Sequence, residues 1–324
     1  MNITRVGIDM GTSRIRICVE GKGIVVDEYG AIAFDDEGKV IAIGKRAFSM
    51  IDKTPSGITV SVPVSNGSIT DSRSAAELLR YLLSKACRNT IMKPTCYAAV
   101  SADITGLEKK AVEESLVEAG TGRVNLIESG IAASAGCGIR KDRPDGVMVI
   151  DMGAGKTEIS IVSKGGIIES TRIAVCGNSM DEAVVRYVKR ERDIIIGNKT
   201  AEDLKIKIGG ATLREVELGM TIKGKSNVTG VAVVGEVTSK EVYLAMRGEL
   251  EKIIAEAKNV LQDLNADLQA DILTNGIILL GGVAHLRGID AMFEKKLGIN
   301  VRVAADPENC VITGLANMIA DKAK

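Results

Sequence analysis

The sequence predicts an α/β protein that contains two copies of one unit. Residues 147–158 read Val-Met-Val-Ile-Asp-Met-Gly-Ala-Gly-Lys-Thr-Glu, in which four apolar residues of a predicted buried strand lead into an acid and a glycine turn. Residues 6–13 carry the same Ile-Asp-Met-Gly core, 142 positions earlier. Between and after these segments, short strand patterns alternate with helical ones. The repeated core and this alternation indicate the α/β class.

The two copies share their register well beyond the core. The further matches at the same offset are Ile17 with Ile159, Lys22-Gly23 with Lys164-Gly165, and Val25-Val26 with Ile167-Ile168. A long shared register at one offset indicates an internal duplication. Each copy is therefore predicted to be strand, glycine turn, strand, glycine turn, strand.

The two glycine turns have the composition of phosphate-binding loops. Glycine allows a tight turn that brings backbone N–H groups close to a phosphate. Asp9 and Asp151, at the strand ends, can hold a hydrated Mg²⁺ ion through its waters. An exposed strand-end acid is the plainer interpretation of each residue, but the duplication favours the metal role. Two such turns that faced each other would clamp one nucleotide and its metal ion.

Length and composition exclude several classes of protein. A chain of 324 residues predicts two domains, each with its own core. The 42 basic and 42 acidic residues balance, which argues against a general nucleic-acid binder, and 2% aromatic residues without Trp argue against base-stacking platforms. The cysteines form no CxxC pair and are predicted to be small buried hydrophobic residues. They are Cys18, Cys87, Cys96, Cys137, Cys176 and Cys310.

The sequence predicts a cytoplasmic protein. We recognise no signal peptide ahead of Val6, and no apolar run approaches the roughly 20 residues that span a bilayer. Attachment to the inner face of a membrane stays open, because a surface loop is enough for it.

Helical periodicity and capping residues predict the helices. The predicted helices are 72–87 capped by Ser72 or Ser74, 105–119 with a Thr105/Glu108 capping box, a small-residue helix 131–136, 180–190 capped by Ser179, 201–208 capped by Thr200, 239–264, 286–297 and 311–324. The small-residue helix is expected to lie close to another backbone, and the last helix to pack on the first half. Residues 213–241 are predicted to form a β-rich insertion.

Several motifs in one order resemble bacterial actins of the MreB cell-shape type, within the actin, 70-kDa heat-shock and sugar-kinase superfamily. They are the opening Asp-Met-Gly-Thr at 9–12, the block 45–56 that ends in Thr-Pro-Ser, Leu-Ile-Glu at 126–128, the segment 151–158, Gly-x-x-Thr-Ala-Glu from 197, and Leu-Gly-Gly-Val-Ala-His-Leu-Arg-Gly at 280–288. The similarity runs nearly from end to end.

The resemblance implies an actin-like fold with two duplicated RNase H-like domains, each carrying a smaller inserted subdomain, and a nucleotide in the cleft between them. Domain I would comprise residues 1–138 and 305–324 with an insert at about 29–69. Domain II would comprise residues 139–304 with an insert at about 179–239.

The same resemblance implies which residues hold ATP or ADP and Mg²⁺. The nucleotide contacts would be Gly11, Thr12, Ser13, Arg14, Gly153, Ala154, Gly155, Lys156, Thr157, Glu202, Asp203, Leu204, Lys205, Gly281, Gly282, Val283 and Ala284. Glu202 and Lys205 would reach the ribose or adenine, and the turn at 281–283 would lie near the adenosine and α-phosphate. Asp9 and Asp151 would hold the metal ion through water.

Three departures from the family motifs cluster at the expected chemistry. Ser129 occupies the position of the acid that helps to place the attacking water, with Glu128 next to it. In the second turn Lys156 replaces a Thr and Ala154 replaces a glycine, and Val283 replaces the third glycine of the adenosine motif. Loss of a general base typically slows a reaction by roughly 10²–10⁴-fold. We therefore expect weak or absent hydrolysis. Lys156 is either a phosphate-binding cation or a solvated surface residue.

Ile91 and Met92 form an apolar pair in a polar loop. They either fold onto the core or insert into a membrane, as an apolar loop pair does in the family, and we favour the membrane. Lys85, Arg88 and Lys93 would each add roughly 1 kcal/mol of attraction to anionic lipid.

These features predict a nucleotide-binding actin homologue that assembles head to tail into membrane-associated filaments for cell-shape control or cell-wall synthesis. Its partners would be other copies of itself, the membrane surface and membrane-bound wall-synthesis or anchoring proteins, with no nucleic acid. The alternatives are a hydrolysis-deficient scaffold or filament modulator and a small-molecule kinase of the same fold. A chaperone-type ATPase is disfavoured because no substrate-binding domain follows the last predicted helix.

Overall fold

The computed structural model describes residues 4–51, 53–88 and 92–322. The chain divides into two compact units. The first comprises residues 1–144, 160–172 and 308–324, and the second comprises residues 145–159 and 173–307. The domain boundaries implied by the family resemblance, with their inserts, stay predictions.

The elements up to residue 144, with the last helix, are given first. They are β1 (Arg5–Met10), β2 (Arg14–Val19), β3 (Gly23–Tyr29), β4 (Ile32–Phe34), β5 (Val40–Ile43), α1 (Lys45–Phe48), β6 (Thr59–Ser61), β7 (Val64–Ser65), β8 (Ser68–Ile69), α2 (Ser72–Ala86), β9 (Thr95–Val100), α3 (Gly106–Glu118), β10 (Arg123–Glu128), α4 (Ser129–Gly136) and α10 (Cys310–Asp321).

The remaining elements follow residue 144. They are β11 (Val147–Met152), β12 (Thr157–Ser163), β13 (Gly166–Ile173), α5 (Gly177–Arg192), β14 (Ile194–Ile195), α6 (Asn198–Ile208), β15 (Gly219–Ser226), β16 (Ala232–Thr238), α7 (Ser239–Asp263), α8 (Ala266–Asn275), β17 (Ile277–Leu280), a 3-10 helix (Gly282–His285), α9 (Ile289–Leu297) and β18 (Val301–Val303).

Two five-stranded sheets have the same strand order. The first runs β10-β9-β1-β2-β3, and the second runs β18-β17-β11-β12-β13. In the first, β1 pairs parallel with β9 and antiparallel with β2. In the second, β11 pairs parallel with β17, which pairs parallel with β18. Because β1 and β11 also begin and end 142 positions apart, the predicted duplication is confirmed.

The apolar residues of β1 and β2 are buried in the core of the first unit. Ile8 in β1 and Ile15 and Ile17 in β2 are at most 1% exposed. They share a core with Leu79 and Leu82 of α2. Helix α2 presents these leucines on one face at helical spacing, which is why the sequence pattern predicted it.

The cysteines behave mainly as small core residues, as predicted. Cys18, Cys96, Cys176 and Cys310 are buried, Cys87 and Cys137 are half-buried, and none of the six forms a disulfide. Burial raises the pKa of the Cys18 thiol to about 11, so that thiol stays protonated at neutral pH.

Helices α4 and α10 cross at very close range, as the small residues of α4 predicted. A Cβ atom built on Gly136 would lie 1.8 Å from the carbonyl oxygen of Cys310. One built on Gly314 would lie 1.7 Å from the carbonyl oxygen of Ala132. Only glycine fits at these two positions, and this crossing fixes the last helix on the first unit.

The cap predicted for α2 and the starts predicted for α4, α5 and α6 are wrong. Helix α2 is capped by Asp71, whose carboxylate accepts the N–H of Ser74 at 3.1 Å, and not by Ser72 or Ser74. Helix α5 begins at Gly177, three residues before the predicted start, and α6 follows Gly197. Helix α4 begins two residues earlier than predicted, at Ser129.

The β-rich insertion predicted for residues 213–241 is confirmed as the hairpin β15–β16, which pairs with β14. Helix α8 was not predicted. Ile272 is its only buried residue, so the segment carries no apolar stripe of helical period. Among the described residues, no helix combines the length and apolar character needed to cross a bilayer.

The α4–α10 crossing gives a test. We expect Gly314→Ala to lower the free energy of unfolding by about 3 kcal/mol, the upper end of the usual cost of overpacking, because the added methyl group overlaps the Ala132 carbonyl. The matched control is Gly248→Ala in the middle of α7, where a Cβ atom meets nothing within 4 Å. That change should stabilise the protein by up to about 1 kcal/mol through helix propensity. Urea unfolding measures both, and an unchanged midpoint for Gly314→Ala would contradict the close crossing.

Candidate functional site

The first glycine turn joins β1 to β2 and is closed by one hydrogen bond. The N–H of Gly11 donates to the carbonyl oxygen of Arg14 at 3.0 Å. A Cβ atom on Gly11 would lie 2.8 Å from that oxygen, so the turn requires glycine. Thr12 and Ser13 form its tip, and Asp9 lies two residues ahead of Gly11 in β1.

A row of charges crosses the first sheet at Asp9. The strand registers place Asp9 opposite Arg16 and Arg16 opposite Asp27. Arg16 is 8% exposed, its Nη2 donates to Glu308 at 3.1 Å, and its Nε lies 3.3 Å from Asp27. A buried cation thus lies opposite the predicted metal-binding acid. We did not predict Arg16, although a basic residue inside a strand of apolar neighbours is an available signal.

Arg14 has its side chain engaged beside the turn. Its Nε donates to Asp27 at 2.6 Å, and its guanidinium lies 4.8 Å from the centre of the Tyr29 ring. Its carbonyl oxygen closes the turn, whereas its predicted contact with phosphate stays a prediction.

The second glycine turn, between β11 and β12, has the same geometry. The N–H of Gly153 donates to the carbonyl oxygen of Lys156 at 2.9 Å, which matches the Gly11–Arg14 bond 142 positions earlier. Thr157 follows the turn, is fully buried, and donates its hydroxyl to the carbonyl oxygen of Val175 at 2.6 Å. Ala154 and Gly155 lie at the tip.

The start of α5 is bonded to this second turn. The N–H groups of Gly177 and Asn178 donate to the carbonyl oxygens of Gly153 and Ala154 at 3.0 and 2.9 Å. Ser179, predicted as the cap, accepts the N–H of Cys176 from inside the first helical turn at 2.9 Å. The earlier start of α5 thereby places a helix end against the turn, which we did not predict.

Lys156 makes an ion pair within the second turn. Its ammonium group contacts the carboxylate of Glu158, whose side chain is 2% exposed, while that of Lys156 is 19% exposed. The solvated surface interpretation is therefore wrong for Lys156, because its charge balances a buried acid. A contact with phosphate stays a prediction.

Helix α6 carries the residues predicted to meet the ribose or adenine. Lys205 donates to the carbonyl oxygen of Gly177 at 3.0 Å and to the carboxylate of Asp181 at 2.7 Å. This places α6 beside the start of α5. Glu202 and Asp203 are half-buried, and Leu204 is fully buried.

The turn after β17 lies directly against the strand-end acid of the second copy. Gly281 has φ 83°, and a Cβ atom there would lie 2.4 Å from the carbonyl oxygen of Met152 and 2.5 Å from Oδ1 of Asp151. Both the conformation and the close approach require glycine. The 3-10 helix follows, with Val283 and Ala284 buried. Two motifs far apart in sequence, 151–158 and 280–288, thus meet at Asp151.

The predicted metal-binding acids fit a water-mediated role. Asp9 and Asp151 occupy equivalent strand ends, each two residues before a turn glycine, and both are half-buried. Mg²⁺ keeps several waters and takes few carboxylates. In the described parts of the chain, no three His, Cys, Asp or Glu side chains group closely enough to hold a metal ion.

The departure at Ser129 lies at a helix start. Ser129 is the first residue of α4 and is 7% exposed, and Glu128 is the residue that precedes the helix. A Cβ atom on the next residue, Gly130, would lie 2.6 Å from Oγ of Ser160, so this helix end is tightly packed. Of the predicted membrane pair, Ile91 lies outside the described residues, and Met92 is 42% exposed.

The Lys156–Glu158 pair predicts a stability effect. Lys156→Met should lower the free energy of unfolding by about 3 kcal/mol, because it removes the cation beside a buried carboxylate. Adding Glu158→Gln should restore most of that loss. The control is Lys110→Met in the exposed Lys110–Glu114 pair, where the change should stay below about 0.5 kcal/mol. Urea unfolding of the four proteins decides, and a double variant no more stable than Lys156→Met would contradict the coupling.

Comparisons with known proteins agree along the whole chain. A family model described as MreB/Mbl protein matches residues 3–324. The cell shape-determining protein Mbl of Bacillus cereus is 36% identical over 320 residues, covering 97% of this chain and 95% of that protein. The cell shape-determining protein MreB of Escherichia coli (strain K12) is 33% identical over 318 residues, covering 95% and 90%.

Solved structures agree with the sequence comparisons. The crystal structure of MreB5 of Spiroplasma citri bound to AMPPNP has a TM-score of 0.94 and 32% identity, and the match covers 100% of this chain and 97% of that one. The MamK double helical filament, at 17% identity and a TM-score of 0.83, shows the same fold over 98% and 99% of the two chains. The fold is therefore actin-like, and the chain belongs to the MreB/Mbl family.

Proposed function

We propose that this chain is a nucleotide-binding bacterial actin that acts in cell-shape control. The observation that carries the proposal is the pair of equivalent turns, each closed by a glycine N–H and preceded by a strand-end acid. Structures of Spiroplasma citri MreB5, 32% and 31% identical, are bound to AMPPNP and ADP. Relatives at 33% to 36% identity are named cell shape-determining proteins.

ATP or ADP with Mg²⁺ is the proposed ligand. Residues 11–14 and 153–157 would contact phosphates, residues 281–284 the adenosine, and Glu202 and Lys205 the ribose or base. Asp9 and Asp151 would hold the metal ion through water, and the metal would neutralise phosphate charge. Asp151 fits this role because the turn glycine Gly281 packs against its carboxylate.

The proposed assembly is a filament of identical subunits. Head-to-tail contact between copies is heterologous, so it continues without closing. Membrane-bound proteins of wall synthesis or anchoring are its proposed partners at the inner face of the membrane.

Filament formation should depend on the nucleotide. We expect electron microscopy of the purified protein to show polymers with ATP or AMPPNP and none after the nucleotide is removed. Asp151→Asn should reduce polymer at equal concentration, because it weakens the proposed metal contact. Gly248→Ala is the control and should polymerise like the wild type. Absence of polymer with every nucleotide would leave the kinase or scaffold alternative, and phosphorylation of a small molecule would favour the kinase.

Hydrolysis is proposed to be slow because Ser129 cannot act as a carboxylate base. This is the observation that favours the second candidate, a hydrolysis-deficient scaffold or filament modulator of the same family.

Ser129→Glu tests this point. The change puts a carboxylate at the first turn of α4, where the helix dipole favours negative charge. We expect faster phosphate release, by up to the roughly 10²-fold lower end of a general-base effect. The control is Ser129→Gln, which adds similar bulk without the charge. Wild-type release at the rate of ordinary family members, or a rate that Ser129→Glu does not change, would refute the proposal.

Membrane attachment through Ile91 and Met92 is also proposed. Met92 is 42% exposed, which leaves its side chain accessible to lipid. Changing both residues to Ser should reduce co-sedimentation with anionic liposomes several-fold. The variant lacks the two apolar side chains whose transfer from water into the bilayer would favour binding. The control is Leu107→Ser, an 80% exposed residue outside this loop. Equal sedimentation of the double variant and the wild type would remove the idea.

A further inference from the structure

A buried ion pair lies beside the second turn. Asp181, in the second turn of α5, accepts a hydrogen bond of 2.7 Å from the ammonium group of Lys205. The side chains of Asp181 and Lys205 are 8% and 11% exposed. Buried ion pairs are seldom a net gain in stability, since an apolar pair of equal volume often does as well or better. The pair therefore needs another explanation.

The pair connects two parts of the proposed nucleotide site. Lys205 also donates to the carbonyl oxygen of Gly177 at 3.0 Å, and the N–H of Gly177 donates to the carbonyl oxygen of Gly153 at 3.0 Å. The chain of bonds runs from α6, through the start of α5, to the phosphate turn. Every bond in it lies within the second unit.

The two bonds of Lys205 fix the direction of its remaining donor. An ammonium group has three N–H donors. Among the described residues, Asp181 and Gly177 accept two of them. Two fixed acceptors leave one direction for the third N–H, which is available to an acceptor atom of a ligand.

Asp181 retains an unsatisfied oxygen. Its Oδ1 is buried, and no described residue donates a hydrogen bond to it. Burial raises the pKa of the Asp181 carboxyl to about 6. The positive charge of Lys205 lowers this pKa, whereas the negative charges of Glu202 and Glu182 raise it further. A carboxylate that is held in its charged form although burial disfavours the charge is typical of a functional site.

We propose that Asp181 is a positioning residue of the nucleotide site, which holds Lys205 so that its third N–H meets an acceptor atom of the ribose or base. This inference rests on the proposed nucleotide binding. Asp181 itself touches no ligand and acts through Lys205.

Affinity for a fluorescent ATP analogue, measured across pH, tests the role. At pH 7.5 we expect Asp181→Asn to raise Kd by about tenfold, the effect of losing one charge-assisted contact. Above pH 6 the Asp181 carboxylate of the wild type is charged and holds Lys205. Below pH 6 the carboxylate is protonated and no longer holds Lys205. The wild-type Kd should therefore approach the variant's as pH falls through about 6. Both proteins meet the same nucleotide, so the ratio of their Kd values isolates Asp181.

A double-mutant cycle separates positioning from folding. If Asp181 acts through Lys205, the Asp181→Asn/Lys205→Gln double variant should bind no more weakly than Lys205→Gln, and it buries no unpaired charge. Arg186→Gln, in the exposed Arg186–Glu182 pair of α5, is the control and should match the wild type. No binding by the wild type at any pH would refute the nucleotide site itself. Binding by Asp181→Asn with the wild-type Kd and pH profile would refute the positioning role alone.

Discussion

One hydrogen bond, from a turn glycine to the carbonyl oxygen three residues later, organises each copy of the duplicated unit. It measures 3.0 Å at Gly11 and 2.9 Å at Gly153. The bond folds the chain back immediately after a strand-end acid, so that carboxylate and backbone N–H groups come to one sheet edge. A side chain at Gly11 would place Cβ 2.8 Å from the oxygen that closes the turn. The nucleotide binding proposed for the protein depends on this tight turn, because a wider turn would hold the backbone N–H groups farther apart.

The second copy shows how the rest of the unit supports its turn. Gly281 packs on Asp151, and the start of α5 bonds to Gly153 and Ala154. Lys205 joins α6 to the same helix start. The strand-end acid, the turn and two helices are thus connected by direct contacts. The charges are also paired locally, with Lys156 on Glu158 and Lys205 on Asp181.

Most of the fold followed from periodicity and from the repeat. The offset of 142 positions identified equivalent strands, and the small residues of α4 predicted its close packing. The sequence was less informative about where helices begin. Ser179 has the residue type of a helix cap but lies inside the first turn of α5, which begins at Gly177. It was also uninformative where a segment buries little, as α8 shows. At the site, glycines and acids were recognisable by type. Arg16 and Asp181 were missed because their roles come from burial and tertiary pairing.

We infer that the two turns are equivalent in function as well as in structure. This equivalence is tested by the affinity for ATP, with and without Mg²⁺, of the wild type, Asp9→Asn and Asp151→Asn. The wild type should gain affinity from Mg²⁺, and each variant should lose most of that gain, by about tenfold or more, the size expected when a metal-site partner is lost. A full Mg²⁺ gain in either variant, with its fold intact, would contradict the functional equivalence.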